Sequence, residues 1–251
     1  MTPHIRTKEG RDLAYHQTAG EGPGVVFLGG FRSDMSGTKA LALEDWAQGT
    51  GRPFLRFDYS GHGQSGGKFE DGTIGDWCKD TVSAITQLTE GPQVLVGSSM
   101  GGWISFLVAQ AMTDRIAGLV TIAAAPDFTE DGMWASFSDE QRKQMDETGR
   151  VELPSDYSAD HYIITRGLIE EGRKHLVLRK PLNLPFPVRF LQGTADADVP
   201  MAVATRLLDH AEGPDMRLTL VKDADHRFST PSCLEVILWN LEDVLDRLKH
   251  A

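Results

Sequence analysis

Two serines in this chain occupy the pattern Gly-x-Ser-x-Gly, which is able to carry acyl-transfer chemistry: Gly63-Gln64-Ser65-Gly66-Gly67 and Gly97-Ser98-Ser99-Met100-Gly101. A serine hydroxyl becomes a nucleophile of this kind when it is held on a sharp turn between a buried strand and a helix. The glycines two residues to either side make room for that turn. With 26 glycines in the chain the string alone is weak, so context decides. Gln93-Val94-Leu95-Val96 leads into Ser99 as a strand would, and Gly101-Gly102-Trp103-Ile104-Ser105-Phe106-Leu107-Val108 continues as a helix would. Ser65 runs instead into Gly66-Gly67-Lys68-Phe69-Glu70-Asp71-Gly72, which is loop sequence. Ser99 is the expected nucleophile and Ser65 a turn residue.

Serine needs a base, and the base needs an acid to orient it. In a strand-turn-helix site of this type the partners follow in the chain order Ser, Asp or Glu, His. The strand-like Met216 to Val221 leads into Lys222-Asp223-Ala224-Asp225-His226, which makes His226 the expected base. The preceding strand-like run, Val188 to Leu191, opens into a loop with two carboxylates, Asp196 and Asp198, and spacing alone does not separate them. Asp198 stands two residues before Pro200 and suits a helix cap, which leaves Asp196 as the leading acid. A tetrahedral intermediate also needs preorganised N–H donors. The Met100 amide follows the nucleophile, and Phe31, after Gly29-Gly30, is the expected second donor.

These loops require a scaffold that brings them together. Strand-like runs at Leu13 to Thr18, Val25 to Leu28, Pro53 to Phe57, Gln93 to Val96, Gly118 to Ala123, Val188 to Leu191 and Met216 to Val221 alternate with helical segments near Ala40 to Gln48, Asp76 to Leu88, Met100 to Met112 and Met201 to Ala211. Short continuous apolar strands alternating with helices predict an α/β fold with a mostly parallel sheet covered on both faces. Thr230 and Pro231 open a last helix, in which Leu234, Ile237, Leu238, Leu241, Leu245 and Leu248 form one apolar face. About 60 residues separate the strands near Ala125 and Val188, far more than an ordinary αβ connection. Helical stretches near Asp139 to Thr148 and Asp160 to Leu178 lead us to expect a core of residues 1–126 and 187–251 with a helical cap at 127–186. An extra βα unit is the plainer alternative. Trp134 in the cap and Arg32 beside the Gly29-Gly30 loop are the candidate substrate-binding residues, with a salt bridge to Asp34 or another acid as the plainer role for Arg32.

The composition excludes several other classes. Among 251 residues, 25 are basic and 36 acidic, a net charge of −11 with no basic stripe, so nucleic acid is not an expected partner. No apolar run approaches the ~20 residues that cross a bilayer, so no stable membrane insertion is expected. The first residues lack the apolar core of a signal peptide. Cys78 and Cys233 are too few for a disulfide framework or a thiolate zinc site, and a reduced, cytoplasmic protein is the expectation. No His-Glu-x-x-His or similar cluster calls for a metal, and no cofactor is expected. Gly61-His62-Gly63-Gln64-Ser65-Gly66 formally matches a dinucleotide fingerprint. That motif must open a helix, and here more loop follows, which leaves a nucleotide-dependent oxidoreductase a remote alternative. A catalytically silent binding scaffold is the other.

Taken together, these residues resemble the α/β-hydrolase superfamily. More narrowly, Gly29-Gly30-Phe31-Arg32-Ser33-Asp34-Met35, Gly37-Thr38-Lys39-Ala40, Arg56-Phe57-Asp58-Tyr59-Ser60-Gly61-His62-Gly63-Gln64-Ser65 and Asp225-His226-Arg227-Phe228-Ser229 are similar to the branch of acyl-glucuronide esterases and palmitoyl-protein thioesterases. The family pattern Gly-x-x-Asp-x-x-Val-Pro maps onto Gly193, Asp196, Val199 and Pro200, and so implies Asp196 as the acid. Gly29 departs from the superfamily, many of whose members carry His before the glycine, which implies a weakened loop-anchoring contact but an unaffected triad. The resemblance implies a serine hydrolase acting on small acyl esters or thioesters, S-acylated proteins included.

Overall fold

The computed structural model describes residues 2–153 and 162–249. The chain opens with an antiparallel edge, β1 (His4–Arg6) and β2 (Asp12–Thr18). It then alternates β3 (Gly24–Leu28), α1 (Thr38–Thr50), β4 (Phe54–Phe57), α2 (Ile74–Leu88), β5 (Gln93–Ser98), α3 (Met100–Ala111) and β6 (Ile116–Ile122). An insertion follows, with α4 (Asp139–Thr148), β7 (Arg150–Leu153), β8 (Tyr162–Thr165), α5 (Arg166–Gly172) and the two-residue β9 (Leu182–Asn183). The chain ends with β10 (Val188–Gly193), α6 (Met201–His210), the two-residue β11 (Ala211–Glu212), β12 (Met216–Val221) and α7 (Pro231–Leu248). Each of the seven apolar runs read from the sequence falls on a strand of the main sheet, with only Pro53 and Ala123 just outside β4 and β6.

That sheet has eight strands in the order β1-β2-β4-β3-β5-β6-β10-β12. It is parallel from β4 through β12, and β1 and β2 are its antiparallel edge. Every residue of β3, β4, β5 and β10 is buried, which explains why their sequences are continuous rather than alternating. Neighbouring side chains still divide between the two faces. Val25, Val94 and Val96 pack with Leu43 of α1 and Ile237 and Leu241 of α7. Val26 and Leu95 pack with Trp77 of α2 and Trp103 and Phe106 of α3. Thr230 caps α7 by accepting the Cys233 amide, and Pro231 fills its first turn, as the sequence predicts.

The insertion differs from the expected all-helical cap. α4 lies where the Asp139 to Thr148 pattern puts a helix, with Ser138 and Gln141 forming a capping box. In the Asp160 to Leu178 stretch, however, Tyr162–Thr165 is a strand that pairs antiparallel with β7, and helix begins only at Arg166. The β-branched Ile163-Ile164-Thr165 favours the hairpin, and Thr165 ends it by accepting the Leu168 amide as the cap of α5. Residues 160 and 161 of that expectation lie outside the described residues. Phe137, Met145, Val151, Ile164 and Leu168 of the insertion share one buried cluster with Val26, Leu95 and Trp103 of the core.

Candidate active site

Four loops at the carboxyl ends of β3, β5, β10 and β12 meet at one rim of the sheet, the usual ligand position in an open α/β sheet. Ser99 stands between β5 and α3 with φ 53° and ψ −115°, a conformation L-residues rarely adopt. The turn is so tight that a Cβ on Gly97 would lie 2.4 Å from the Gly101 carbonyl oxygen, and one on Gly101 would lie 2.1 Å from that of Leu28. Glycine is required at both positions. The loop after β3 passes beside the serine: a Cβ on Gly30 would lie 3.4 Å from that of Ser99.

His226, 127 residues away in sequence, presents Nε2 3.1 Å from Ser99 Oγ and Nδ1 2.9 Å from Asp196 Oδ2. Because Nδ1 faces a carboxylate it carries the proton, so in the neutral ring Nε2 accepts from the Ser99 hydroxyl. The Asp196 side chain is fully buried, and it also accepts the Gln192 amide at 2.9 Å and the backbone amides of Asp198 at 2.9 Å and Val199 at 2.8 Å. Burial pushes its pKa up, but the bonds from His226, Val199 and Gln192 prevail and hold it below the ordinary value. Asp198 is not a helix cap. Pro200 is the N-cap of α6 without a side-chain bond, and Asp198 lines the cavity instead. The loop is held by Asp196 itself.

A cavity of about 550 Å³ opens over Ser99. Met100, Phe31 and Arg32 line it together with Ser99 and His226, so the sequence-derived donors border the nucleophile. Among the described residues, neither the Met100 nor the Phe31 amide meets a protein acceptor. Phe128, Met133, Leu153, Tyr162 and Ile164 of the insertion give it an apolar wall, and Arg32, Lys39, Arg227 and Asp198 are the charged residues among its lining. The Arg32 guanidinium lies over the rings of Phe69 and Tyr162, 5.1 and 5.2 Å from their centroids. Trp134 is not a lining residue. It packs on Phe137 and is flanked by the guanidinium groups of Arg142 and Arg173. A π-turn over Thr129–Trp134 shifts the register there, and Met133 takes the place expected of Trp134.

Ser65 is the turn residue its context predicts: its hydroxyl accepts the Ala14 amide at 2.9 Å and donates to the Asp58 carbonyl at 2.6 Å. Lys39 carried no local signal beyond the family likeness of its segment. Its ammonium reaches from α1 to donate to the Arg227 carbonyl, 188 residues on, and burial brings its pKa down to about 8. Asp196, Asp198 and His226 bring ligand atoms within 4.8 Å of one another, but both ring nitrogens of His226 are already engaged. A cation there would displace the Ser99 contact. A groove of about 650 Å³ at the other end of the sheet, lined by Gln17, Pro53, Thr86, Glu90 and Gln93 among others, has no histidine or cysteine among its described lining residues.

A strained serine on a strand-helix turn, with parallel strands delivering His and Asp to it, defines an α/β hydrolase. The family model of the alpha/beta hydrolase fold matches residues 27–167, and the chain belongs to this family and is a hydrolase. Among its relatives, the mitochondrial palmitoyl-protein thioesterase ABHD10 of Bos taurus is 37% identical over 241 residues, 94% of this chain and 78% of that protein. Among solved structures, alpha/beta hydrolase domain-containing protein 10 from mouse matches with a TM-score of 0.91 at 34% identity over 99% of both chains. A protein from Agrobacterium vitis S4 matches with a TM-score of 0.93 at 39% identity over 98% of both.

Proposed function

We propose that this protein is a serine hydrolase that cleaves carboxylic esters and thioesters through an acyl-enzyme on Ser99. One observation carries the reading: Ser99, on its strained turn, shares a hydrogen bond with a His226 ring whose other nitrogen is bound to buried Asp196. His226 takes the Ser99 proton as Oγ attacks the substrate carbonyl, and Asp196 keeps the imidazole in the working tautomer. The Phe31 and Met100 amides receive the oxyanion. His226 passes its proton to the leaving group and then activates water for deacylation.

The apolar wall accommodates the acyl chain, and the relatives named as palmitoyl-protein thioesterases favour a thioester, small or on an S-acylated protein, as the physiological bond. Ser99→Ala should abolish turnover of a p-nitrophenyl acyl ester without changing the circular dichroism, while Ser65→Ala leaves it near wild type. Turnover surviving in Ser99→Ala would refute the mechanism. Rates compared across p-nitrophenyl esters, acyl-CoAs and S-acyl peptides then decide between ester and thioester.

A further inference from the structure

The loop that carries Phe31 has no side chain of its own to hold it at Gly29 and Gly30, and it turns through a left-handed Arg32 at φ 57°. A non-glycine residue stays in that conformation only where its surroundings enforce it. The Ser33 amide closes the turn on the Gly30 carbonyl at 3.1 Å, and a second group holds the Arg32 backbone itself. The Arg32 amide donates to His62 Nε2 at 3.3 Å, and His62 Nδ1 lies 3.3 Å from the Ser60 carbonyl. We propose that His62 is a positioning residue for the oxyanion hole: its ring, protonated on Nδ1, accepts the Arg32 amide and so fixes the turn that points the preceding Phe31 amide at the substrate oxygen. This rests on the reading of Phe31 and Met100 as the oxyanion donors.

The tautomer follows from the two contacts. A backbone amide only donates, so Nε2 must be bare, and the carbonyl opposite Nδ1 only accepts, so Nδ1 must carry the proton. The ring has to be neutral for this, and its surroundings keep it so. His62 is 3% exposed, with its edge-on neighbours Phe69, Trp77 and Tyr59 at centroid distances of 5.0, 5.1 and 5.5 Å. Burial holds its pKa down to about 4; the Ser60 carbonyl works against that and the Arg32 charge reinforces it.

The support is anchored behind the ring as well. Ser60 is fixed by its amide and hydroxyl, both donating to Asp80 Oδ2, and Asp80 is bound in turn by Arg11. The Phe31 ring packs edge-on against the same Phe69 and Trp77 that enclose His62, with centroids 4.8 and 6.1 Å away. One aromatic box therefore holds both the amide side and the ring side of the loop. His62 cannot be the base of the reaction: its Nε2 is occupied by the Arg32 amide, and the Ser99 hydroxyl is already bound to His226.

The test compares His62→Phe, which keeps a ring in the box but offers no acceptor, with His62→Gln, whose amide oxygen reaches the place of Nε2. With a p-nitrophenyl acyl ester, His62→Phe should lower kcat by about 100-fold, the usual cost of one oxyanion donor, with KM within about threefold of wild type. His62→Gln should restore most of that loss. In the wild-type protein, long-range ¹H–¹⁵N spectra should show His62 neutral and protonated on Nδ1 from about pH 5 to 8, where an ordinary histidine titrates. That measurement decides even if His62→Phe fails to fold. Wild-type kcat in His62→Phe, equal losses in the two variants, or a proton on Nε2 would each overturn the assignment. Ser99→Ala in the same assay keeps the two readings apart: activity surviving there defeats the Ser99 mechanism, whereas its loss beside a fully active His62→Phe defeats only the role of His62.

Discussion

At Asp196 four donors converge on one carboxylate, and that count separates it from Asp198 two residues on. Replacing Asp196 by Asn leaves the size of the side chain unchanged but turns an N–H toward His226 Nδ1. The imidazole then moves its proton to Nε2 and no longer accepts from Ser99. Such tautomer errors cost about 10⁴ in kcat. Asp196→Asn should therefore reduce p-nitrophenyl ester turnover by about that factor, while Asp198→Asn, at the cavity rim, changes it by less than about tenfold; steady-state kinetics on the purified variants would reveal a reversed ranking. The lowered pKa of Asp196 carries a sign. Its ionised form is favoured in the folded protein, so this contribution to stability is fully present above the ordinary carboxylate value of about 3.9 and is lost as pH falls through the lower folded value.

Among the elements, the insertion forms the apolar wall of the cavity, and one buried residue at its start ties it to its own end. Asp127 is fully buried at a positive φ of 58°, and it accepts the amides of Val177 and Leu178 at 2.7 and 3.1 Å while pairing with Arg179. The first residues of the insertion are thereby bound to the turn that follows its last helical segment. Asp127→Ala would strand two buried amides while Arg179 keeps its pairing with Asp131, so a loss of about 2–5 kcal/mol in urea unfolding is expected. Asp127→Asn keeps an acceptor and the volume and should lose less; equal losses would mean that the carboxylate charge, rather than the bonds to the amides, matters here. This was also the region least legible in the sequence. The strands of the sheet are short apolar runs whose nature is written locally, and their order placed Ser99, His226 and the loop of Asp196 and Asp198. The choice between those two carboxylates came from the family pattern, since the cap role expected of Asp198 is not found. In the insertion, Tyr162–Thr165 continues without a break into α5, so its apolar spacing merges with that of the helix. Trp134 is a candidate in the sequence only as an aromatic residue of the cap, and the π-turn at Thr129–Trp134 brings its neighbour Met133 to the cavity instead. Lys39 and His62 act through the backbone of distant loops, and no spacing rule connects residues 188 or 30 positions apart.

On the scale of the whole molecule, the insertion and the sheet share one apolar cluster rather than meeting across a polar boundary. Val151 and Ile164 of the hairpin and Leu168 and Ile169 of α5 are buried with Leu28, Met100 and Trp103 of the scaffold. β9, at the end of the insertion, also pairs with β11 beside α6. A chain of 251 residues is near the size at which a single core stops growing, so one shared core is a physical commitment and not a default. Separating the insertion from the sheet would expose large apolar side chains on both partners, each worth about 1.5–3 kcal/mol when buried. The insertion therefore lacks a stable folded state of its own, and a cap that melts first is not expected. Heating should give one transition, with far-ultraviolet circular dichroism, which follows the sheet and helices, coinciding with near-ultraviolet dichroism, which follows aromatic packing in the insertion and scaffold alike. Asp127→Ala should lower that common midpoint without splitting it. An early loss of aromatic signal at intact secondary structure would show that the cap is thermodynamically separate, and the single-core account would then be wrong.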